Sequence, residues 1–382
     1  MAAESAPAGA GLGAAKAPGA APGAGAALDA AASHADAVEV LKGYDGPHVR
    51  IMEVCGTHTH EIFRQGVRRL LPPAVELISG PGCPVCVTPV GYIDEAVRLA
   101  LECGCTICTF GDLVRVPGSR LSLADARARG AHVRVVYSPQ DGEAYAEAHP
   151  EEDVVFLSVG FETTTPSTCI AVRTAAERGV RNFSVLTANK TMPGAYEAMR
   201  DSCDLFLYPG HVCAIAGTKV CEDLVAEGVS GVVAGFTARE LVCALAVGVT
   251  KFREGAPFFV NCYPRVVRPE GSPAARRLVA SMMEPCDARW RGIGVIPGSG
   301  MRLNEAYRGF DALERHGLAH EEGVEPRGCR CGEVLQGRCT PEGCALFGRA
   351  CTPEHPVGAC MVSSEGACSA FYLYGAATKE EK

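Results

Sequence analysis

The chain has 382 residues, of which 47% are hydrophobic and 21% are charged, and its net charge is −8. This length suffices for two or three domains with buried cores, and no apolar run approaches the ~18–20 residues of a membrane-spanning helix. The negative charge gives no support to nucleic-acid binding, which normally requires a basic surface.

Cysteine is the most unusual part of the composition, with twenty residues. Small thiol-rich secreted proteins are held together by disulfides, but this chain is long and shows no signal peptide. We therefore expect a cytoplasmic protein whose thiols bind metal or take part in redox chemistry. Cysteines that stand alone in apolar or helical surroundings are expected to be packing residues, as for Cys169, Cys203, Cys221 and Cys243.

The amino-terminal part of the chain, residues 1–46, is predicted to be a disordered tail. Its first 33 residues are almost all Ala, Gly and Pro, and they lack the basic start and compact apolar core of a secretory signal. A segment of this composition buries too little apolar surface to fold.

From residue 47 onward, short β-rich runs alternate with helical patterns, which is typical of parallel sheets covered by helices. We predict an α/β fold with two similar parallel-sheet domains, 47–140 and 141–268, and a C-terminal cysteine-rich iron–sulfur domain at 269–382. The predicted strands are "VRIMEV", "AVELIS", "CTICTF", "HVRVVY", "DVVFLSV", "NFSVLTA", "DLFLYP" and "GVVAGF".

The first candidate site follows the strand "VRIMEV", in the stretch "EVCGTHTHE" at 53–61. Cys55 ends the strand, Gly56 permits a tight turn, and a helix is predicted to start near Thr59. Binding sites of parallel α/β sheets form at the carboxyl ends of strands. His58 and His60 lie at the same strand end. A histidine in such a position is more commonly a hydrogen-bonded turn residue than a metal ligand.

A second candidate site, "GPGCPVCVTP" at 80–89, follows the strand "AVELIS" in the same way. Thr88 is predicted to be the N-cap and Pro89 the first residue of a helix, so that the helix N-terminus favours thiolates at Cys83 and Cys86. Both thiols are expected to converge with Cys55 on one crevice. The pair is either a redox dithiol or part of a Cys₃His zinc site with Cys55 and His58; the intervening proline and the helix start favour the redox pair.

Cys103, Cys105 and Cys108 lie close together in "LECGCTICTF". They lead into a predicted strand, in which alternate side chains face opposite sides of the sheet. We therefore expect these three cysteines to be packing residues.

The last 54 residues contain seven cysteines at irregular spacings that match no pair of zinc-binding hooks. Four thiolates from separate turns are what a [4Fe–4S] cluster requires, and a structural zinc site is the alternative. Cys329 and Cys331 are too close in sequence for both to bind one cluster face, so one is expected to be a redox thiol.

Taken together, these motifs resemble the HypD family of [NiFe]-hydrogenase maturation factors over residues 47–375. The matching stretches occur in order: "EVCGTHTH", "SGPGCPVCVTP", "VGFETTTP", "PGHVCAIAGTK", "VVAGF", "YPRVV", "WRGIGVIPGSG" and "CRCGE…CALFG…CTPEHPVGACMVSSEGAC". Cys262 and Cys339 look like additions to the family pattern, so Cys339 is a doubtful ligand candidate.

The resemblance implies a cytoplasmic scaffold with a redox role in building the Fe(CN)2CO unit of the hydrogenase. It implies a stable complex with HypC, and HypE as the cyanide donor. Cys55 would hold the iron together with a HypC cysteine, the Cys83/Cys86 dithiol would be essential beside it, and His58 would support them. Cys55 is expected to lie far from the C-terminal domain. Whether the chain turns over as an enzyme is left open.

The resemblance also implies a C-terminal [4Fe–4S] cluster that supplies electrons. The expected ligands are Cys329, Cys344, Cys351 and one of Cys360 or Cys368, with Cys331 and the remaining thiol as the exchange pair. Two other functions remain open: a [4Fe–4S]-dependent thiol–disulfide reductase acting on protein disulfides, with no iron–cyanide cargo, and a purely structural zinc protein.

Overall fold

The computed structural model describes residues 34–375, which form two β-sheets covered by helices. The predicted α/β class, with two mainly parallel sheets and a cysteine-rich C-terminal region, is confirmed. The strands are β1 (Val49–Glu53), β2 (Val75–Ser79), β3 (Thr106–Thr109), β4 (Val133–Val135), β5 (Val154–Gly160), β6 (Phe183–Lys190), β7 (Leu205–Pro209), β8 (Ser230–Ala234), β9 (Phe259–Asn261), β10 (Met283–Trp290) and β11 (Gly294–Leu303).

The helices alternate with these strands. They are α1 (His34–Lys42), α2 (Gly56–Arg64), α3 (Pro84–Val87), α4 (Val90–Leu101), α5 (Leu123–Ala128), α6 (Pro139–Ala148), α7 (Thr165–Arg178), α8 (Pro193–Met199), α9 (Gly210–Ala216), α10 (Lys219–Ala226), α11 (Ala238–Phe252), α12 (Pro273–Met282), α13 (Ala312–His316), α14 (Cys331–Leu335), α15 (Ala359–Val362) and α16 (Ala367–Tyr374). Among residues 34–375, no helix has both the length and the apolar character of a membrane span.

The first sheet has five parallel strands in the order β2-β1-β7-β8-β9. The second has six, in the order β10-β11-β6-β5-β3-β4, of which the first two are antiparallel additions. All seven residues of β5 are buried, because helices cover both faces of the sheet. This two-sided burial explains why the strands read as continuous apolar runs in the sequence.

The strands are not grouped as the predicted boundaries at 140/141 and 268/269 divide them. Strand β1 lies between β2 and the distant β7, while β3 and β4 join β5 and β6 in the other sheet. The hairpin β10–β11, in the span assigned to the C-terminal domain, completes the second sheet. Parallel strands are joined by long crossovers, so alternation in the sequence does not reveal which sheet each strand joins.

Several predicted element boundaries also need correction. The tail predicted for 1–46 contains helix α1, whose Ala37 and Leu41 are buried against the first sheet's core; residues 1–33 lie outside the described range. Helix α2 begins at Gly56 rather than near Thr59. Helix α4 begins at Val90, with Pro89 as its N-cap, because the Thr88 hydroxyl instead donates to the carbonyl of Pro84, at 2.8 Å.

Candidate functional site

Four loops meet at the carboxyl edge of the first sheet. Cys55 follows β1, the turn that contains Gly82 and Cys83 follows β2, His211 follows β7, and Gly235 follows β8. Since the strands are parallel, their carboxyl ends lie side by side, which is where ligand sites of such sheets form. The structure therefore gathers both sequence-predicted sites at one edge.

Cys55 is the N-cap residue of α2 and is only 2% exposed. Its Sγ accepts a hydrogen bond from the backbone N–H of His58, at 3.5 Å. Burial raises the pKa of the Cys55 thiol to about 12, because the bond from His58 only partly offsets the loss of solvent. The thiol is therefore protonated near neutral pH, and a metal ion must displace this proton to bind.

The glycine turn before Cys83 packs directly on the backbone of Cys55. A Cβ atom on Gly82 would lie 2.0 Å from the Cys55 nitrogen, so no other residue type fits there. The N–H of Gly56 donates to the carbonyl of Gly82, at 3.0 Å. These contacts bring the two cysteine loops together, as the sequence predicted.

Cys83 and Cys86 are joined as a disulfide, with their Cα atoms 5.2 Å apart. They lie on the four-residue helix α3, in which Cys83 is the N-cap and its Sγ accepts from the N–H of Cys86, at 3.2 Å. Both residues are buried. The two sulfurs are thus bonded to each other in this structure.

His58 is fully buried, and its Nε2–H donates to the carbonyl of Gly235, at 3.0 Å. Its Nδ1 has no hydrogen-bond partner in the described structure. Burial lowers the pKa of His58 to about 3, and nearby His211 acts in the same direction, so the ring is neutral. His60 instead donates from Nδ1 to the carbonyl of Ser364, at 3.0 Å; it is hydrogen-bonded as expected, but it lies within helix α2 rather than in a turn.

His211 is the site residue that sequence reasoning missed. The rings of His58 and His211 lie 4.8 and 5.0 Å from that of Phe236. Burial lowers the pKa of His211 to about 4. The available signal was the similarity between "PGHVCA" and "PGCPVC", both of which follow a buried strand.

The C-terminal region contacts the start of α2 directly, so the expectation that Cys55 is distant from it was wrong. The Thr57 hydroxyl donates to Oε1 of Glu365, at 2.6 Å, and a Cβ atom on Gly56 would lie 2.7 Å from that of Glu365. The rings of Phe63 and Phe371 pack edge to face, with centroids 4.6 Å apart. Helix α16 therefore lies along α2, because its apolar side chains need a partner surface.

A pocket beside α14 and α15 gathers six of the seven C-terminal cysteines. Its thiol-bearing lining residues are Cys329, Cys331, Cys344, Cys351, Cys360 and Cys368. The seventh, Cys339, is not part of the lining and donates to the carbonyl of Thr340, at 3.1 Å. All the expected cluster ligands and exchange thiols thus face one space.

The thiols of this pocket are not arranged as a preformed single-ion site. The Sγ atoms of Cys331 and Cys360 are 2.7 Å apart, but in residues 34–375 no three pocket thiols lie within 4.8 Å of one another. A tetrahedral zinc site with Zn–S bonds of ~2.3 Å needs sulfurs ~3.8 Å apart. Four thiolates placed around a pocket can each bind one iron at a corner of a cube-shaped [4Fe–4S] cluster.

Arg291 joins this pocket to the disulfide loop. Its backbone N–H donates to the carbonyl of Val87, at 2.8 Å, and its Nε–H to that of Thr88, at 2.9 Å. The guanidinium also pairs with Glu325, at 3.4 Å, while its side chain is only 1% exposed. The disulfide shares one apolar cluster with further residues of both sheets and the pocket, namely Phe161, Trp290, Cys331 and Cys360.

The pKa of the Cys331 thiol lies well below its ordinary value. Hydrogen bonds with Cys329 and Cys360 lower its pKa, and the Arg291 guanidinium acts in the same direction. A thiolate is the nucleophile in thiol–disulfide exchange. Cys331 is therefore a thiol suited to attack a disulfide.

Comparison with known proteins agrees with this architecture. The model of the HypD family, described as "Hydrogenase formation hypA family", matches residues 30–375. The chain is 44% identical to the hydrogenase maturation factor HypD of Rhodobacter capsulatus, over 87% of this chain and 91% of the relative. It is 43% identical to that of Escherichia coli, over 85% and 89%, and 42% identical to that of Azotobacter vinelandii, over the same shares. On this evidence the chain belongs to the HypD family of hydrogenase maturation factors.

Proposed function

We propose that this protein is a scaffold on which the Fe(CN)2CO unit of a [NiFe] hydrogenase is assembled. The observation that carries the proposal is the contact between the Cys55 loop and the Cys83–Cys86 loop, through Gly82, at the carboxyl edge of the first sheet. It offers a single protonated thiol beside a redox-capable pair. Because most of its cysteines are free thiols, we further propose that it works in the reducing cytoplasm.

In this proposal the iron is cargo, and Cys55 is the residue that holds it. Soft thiolates suit iron that carries strong-field ligands, and a second thiolate from HypC would share the ion. HypC is then the stable partner and HypE the donor of the cyanide groups. The neutral ring of His58, buried beside the loop, supports the position of Cys55 through the backbone N–H that bonds Sγ.

We propose that the C-terminal pocket holds a [4Fe–4S] cluster, which would supply electrons one at a time. The 2.7 Å contact between Cys331 and Cys360 marks these two as the exchange pair. The ligands are then the other four lining cysteines, Cys329, Cys344, Cys351 and Cys368. This assignment selects Cys368 as the fourth ligand and Cys360 as the exchange thiol.

The proposed redox step is disulfide exchange between the two thiol pairs. The Cys331 and Cys360 dithiol becomes a disulfide, while the Cys83–Cys86 disulfide takes up two electrons and two protons and becomes a dithiol. Arg291 contacts the end of α3 and favours the Cys331 thiolate. It thereby fixes the position of the disulfide loop relative to the cysteine pocket. The shared apolar cluster excludes water, which protects the exchange from competing reactions.

An infrared spectrum tests this function. The protein is produced together with HypC and HypE, purified without oxygen, and examined for the stretching bands of iron-bound CN and CO. We expect both sets of bands in the complex and none when HypE is omitted.

A second function rests on the disulfide itself. The pairing of Cys83 with Cys86 and the contact of Cys331 with Cys360 also suit a [4Fe–4S]-dependent reductase of protein disulfides. Such a protein would reduce a disulfide substrate and would never carry iron-bound CN or CO. A reproducible absence of both bands, with the thiol pairs still active, would select this alternative.

A further inference from the structure

A third group of potential ligands lies at the amino-terminal edge of the second sheet, away from the strand ends that form the proposed scaffold. Cys105 directly precedes β3, Asp153 directly precedes the neighbouring parallel strand β5, and His316 is the last residue of α13. The backbone N–H of Thr106 donates to the carbonyl of Asp153, at 2.8 Å, which holds the two strand starts together.

The three side chains direct one ligand atom each at a common point. The Sγ of Cys105 is 3.3 Å from Nε2 of His316, and this nitrogen is 3.5 Å from Oδ2 of Asp153. All three ligand atoms lie within 4.8 Å of one another. Tetrahedral zinc with bonds of ~2.0–2.3 Å separates neighbouring N, O and S ligand atoms by ~3.3–3.6 Å, which agrees with these distances.

The same geometry argues against a catalytic triad. A triad uses one imidazole nitrogen for the nucleophile and the other for the carboxylate. Here Nε2 of His316 faces both the thiol and Asp153, so a single ring atom cannot orient one group while activating the other.

The Asp153 carboxylate lies against ion-pair partners rather than hydrogen-bond donors. Its Oδ1 is enclosed and has no hydrogen bond in the described structure, although the Arg315 guanidinium forms an ion pair with it, at 3.2 Å. Its Oδ2 lies 3.5 Å from Nε2 of His316. The carboxylate therefore keeps lone pairs for a cation beside the Cys105 and His316 ligand atoms.

We propose that Cys105, Asp153 and His316 bind a divalent transition-metal ion of the zinc type. A thiolate, a carboxylate and a neutral imidazole together balance the charge of a dication, and these are established ligands of zinc. Cys105 is fully buried and the His316 side chain is 13% exposed, whereas that of Asp153 is 36% exposed and provides the entry path. Binding releases the Cys105 proton to solvent and leaves the fourth coordination position to water.

Such a site ties α13 to the starts of two central strands. The C-terminal segment that follows α13 leads to the cysteine pocket, so an ion here secures the connection between the second sheet and that region. The proposal is independent of iron assembly, because none of the three residues belongs to the proposed scaffold or to the pocket.

The test uses the full chain, purified without oxygen, and zinc chloride alone as the probe. Because other thiols of this chain can take up zinc, the readout must identify the position of the ion. Crystals soaked with zinc are examined by anomalous diffraction on both sides of the zinc absorption edge. We expect a peak bonded to Cys105, Asp153 and His316, and its absence would overturn the proposal.

Three variants provide the affinity test in solution. Cys105→Ser and His316→Gln each remove one ligand, and each is expected to weaken binding of one zinc equivalent on the order of 100-fold. Cys103→Ser is the matched control, since this nearby thiol is not part of the ligand group and its loss should leave that equivalent unchanged. Equal zinc affinity in wild type and both ligand variants would contradict the proposal.

A thermal measurement covers the case in which a ligand variant is poorly folded. Zinc bound only to the folded state raises the melting temperature. We expect this rise to be larger for wild type and Cys103→Ser than for Asp153→Asn, a near-isosteric change at the most exposed ligand. An identical rise in all three proteins would also overturn the proposal.

Discussion

The Thr57 hydroxyl donates a 2.6 Å hydrogen bond to Glu365 and so fastens the C-terminal region to the helix that Cys55 caps. The first turn of α2 and the segment before α16 are thereby held as one unit. Because Cys55 lies between these elements, its exposure depends on the C-terminal docking.

Thr57→Val should loosen this docking without altering the shape of the side chain. The variant leaves the Glu365 carboxylate without its donor, which we expect to lower the free energy of unfolding by about 1–2 kcal/mol. It should also speed the alkylation of Cys55, measured by mass spectrometry. Thr174→Val, on α7, is the matched control and should change neither quantity; an unaltered Cys55 alkylation rate in Thr57→Val would contradict the proposed coupling.

Cys55→Ala should abolish iron-bound CN and CO while leaving the fold intact. Loss of the N-cap acceptor costs ~1 kcal/mol, which a folded domain tolerates. The variant, produced with HypC and HypE, should show no infrared bands and should not support hydrogenase maturation. Cys55→Ser should retain only a trace of iron, because a hydroxyl is a poorer ligand than a thiolate for this soft site.

Cys243→Ala, on α11 and outside the site, is the control and should keep the full set of bands. Iron and sulfide content must be measured in both variants, because the C-terminal region touches the loop of Cys55. Full CN and CO bands in Cys55→Ala would show that another residue holds the iron, with Cys83 and Cys86 the first to test.

Cys83 and Cys86 should change between dithiol and disulfide together. In a redox titration followed by differential alkylation, the two should share one midpoint, with a slope of about 30 mV per tenfold change in the ratio of the two forms. Cys169, a buried lone thiol, should show no such transition. If Cys83 and Cys86 remain alkylatable under oxidising conditions in folded protein, they are not a redox pair.

The anaerobically purified protein should be brown and contain about four irons and four sulfides per chain. Cys344→Ala removes a proposed ligand, so this variant should lose the iron, the sulfide and the visible absorption. Cys339→Ala, which lies outside the pocket lining, should retain them. Stoichiometric zinc without acid-labile sulfide would instead identify the structural zinc alternative.

The free energy of unfolding should fall as the pH rises from about 5 to 7, because the buried Glu162 carboxyl then has to ionise. Burial raises the pKa of this carboxyl to about 7, and the 2.8 Å bond from the Met192 N–H offsets this only in part. Between the unfolded pKa of 4.5 and the folded value, the unfolded chain binds fewer protons than the folded one, so the free energy of unfolding falls as pH rises.

The expected loss is on the order of 3 kcal/mol, and it should level off above pH ~7. Glu162→Gln has no charge to bury and should lack this fall in denaturant unfolding measured at pH 5.5 and pH 8. Glu151→Gln, an exposed position in the same region, should behave as wild type. Equal pH dependence in wild type and Glu162→Gln would exclude Glu162 as its source.

The local elements of this protein follow from its sequence. The largely apolar run at β5 is a strand whose seven residues are all buried, as expected for a central strand covered on both faces. The turns after β1 and β2 place Cys55 and Cys83 at strand ends, since glycine permits the close backbone approach that the Gly82 contact requires. The clustering of cysteines near the C-terminus likewise indicated a common pocket.

What only the tertiary structure decided is which distant segments meet. Strand β1 pairs not only with β2 but also with the distant β7, outside its predicted domain, and this second pairing brings His211 to the Phe236 ring that His58 also contacts. Cys105 was expected to be a packing residue, and nothing in its local sequence indicates Asp153 or His316 as neighbours. Periodicity and turn chemistry act over a few residues, whereas long crossovers and the burial of whole faces determine contacts between segments far apart in the chain.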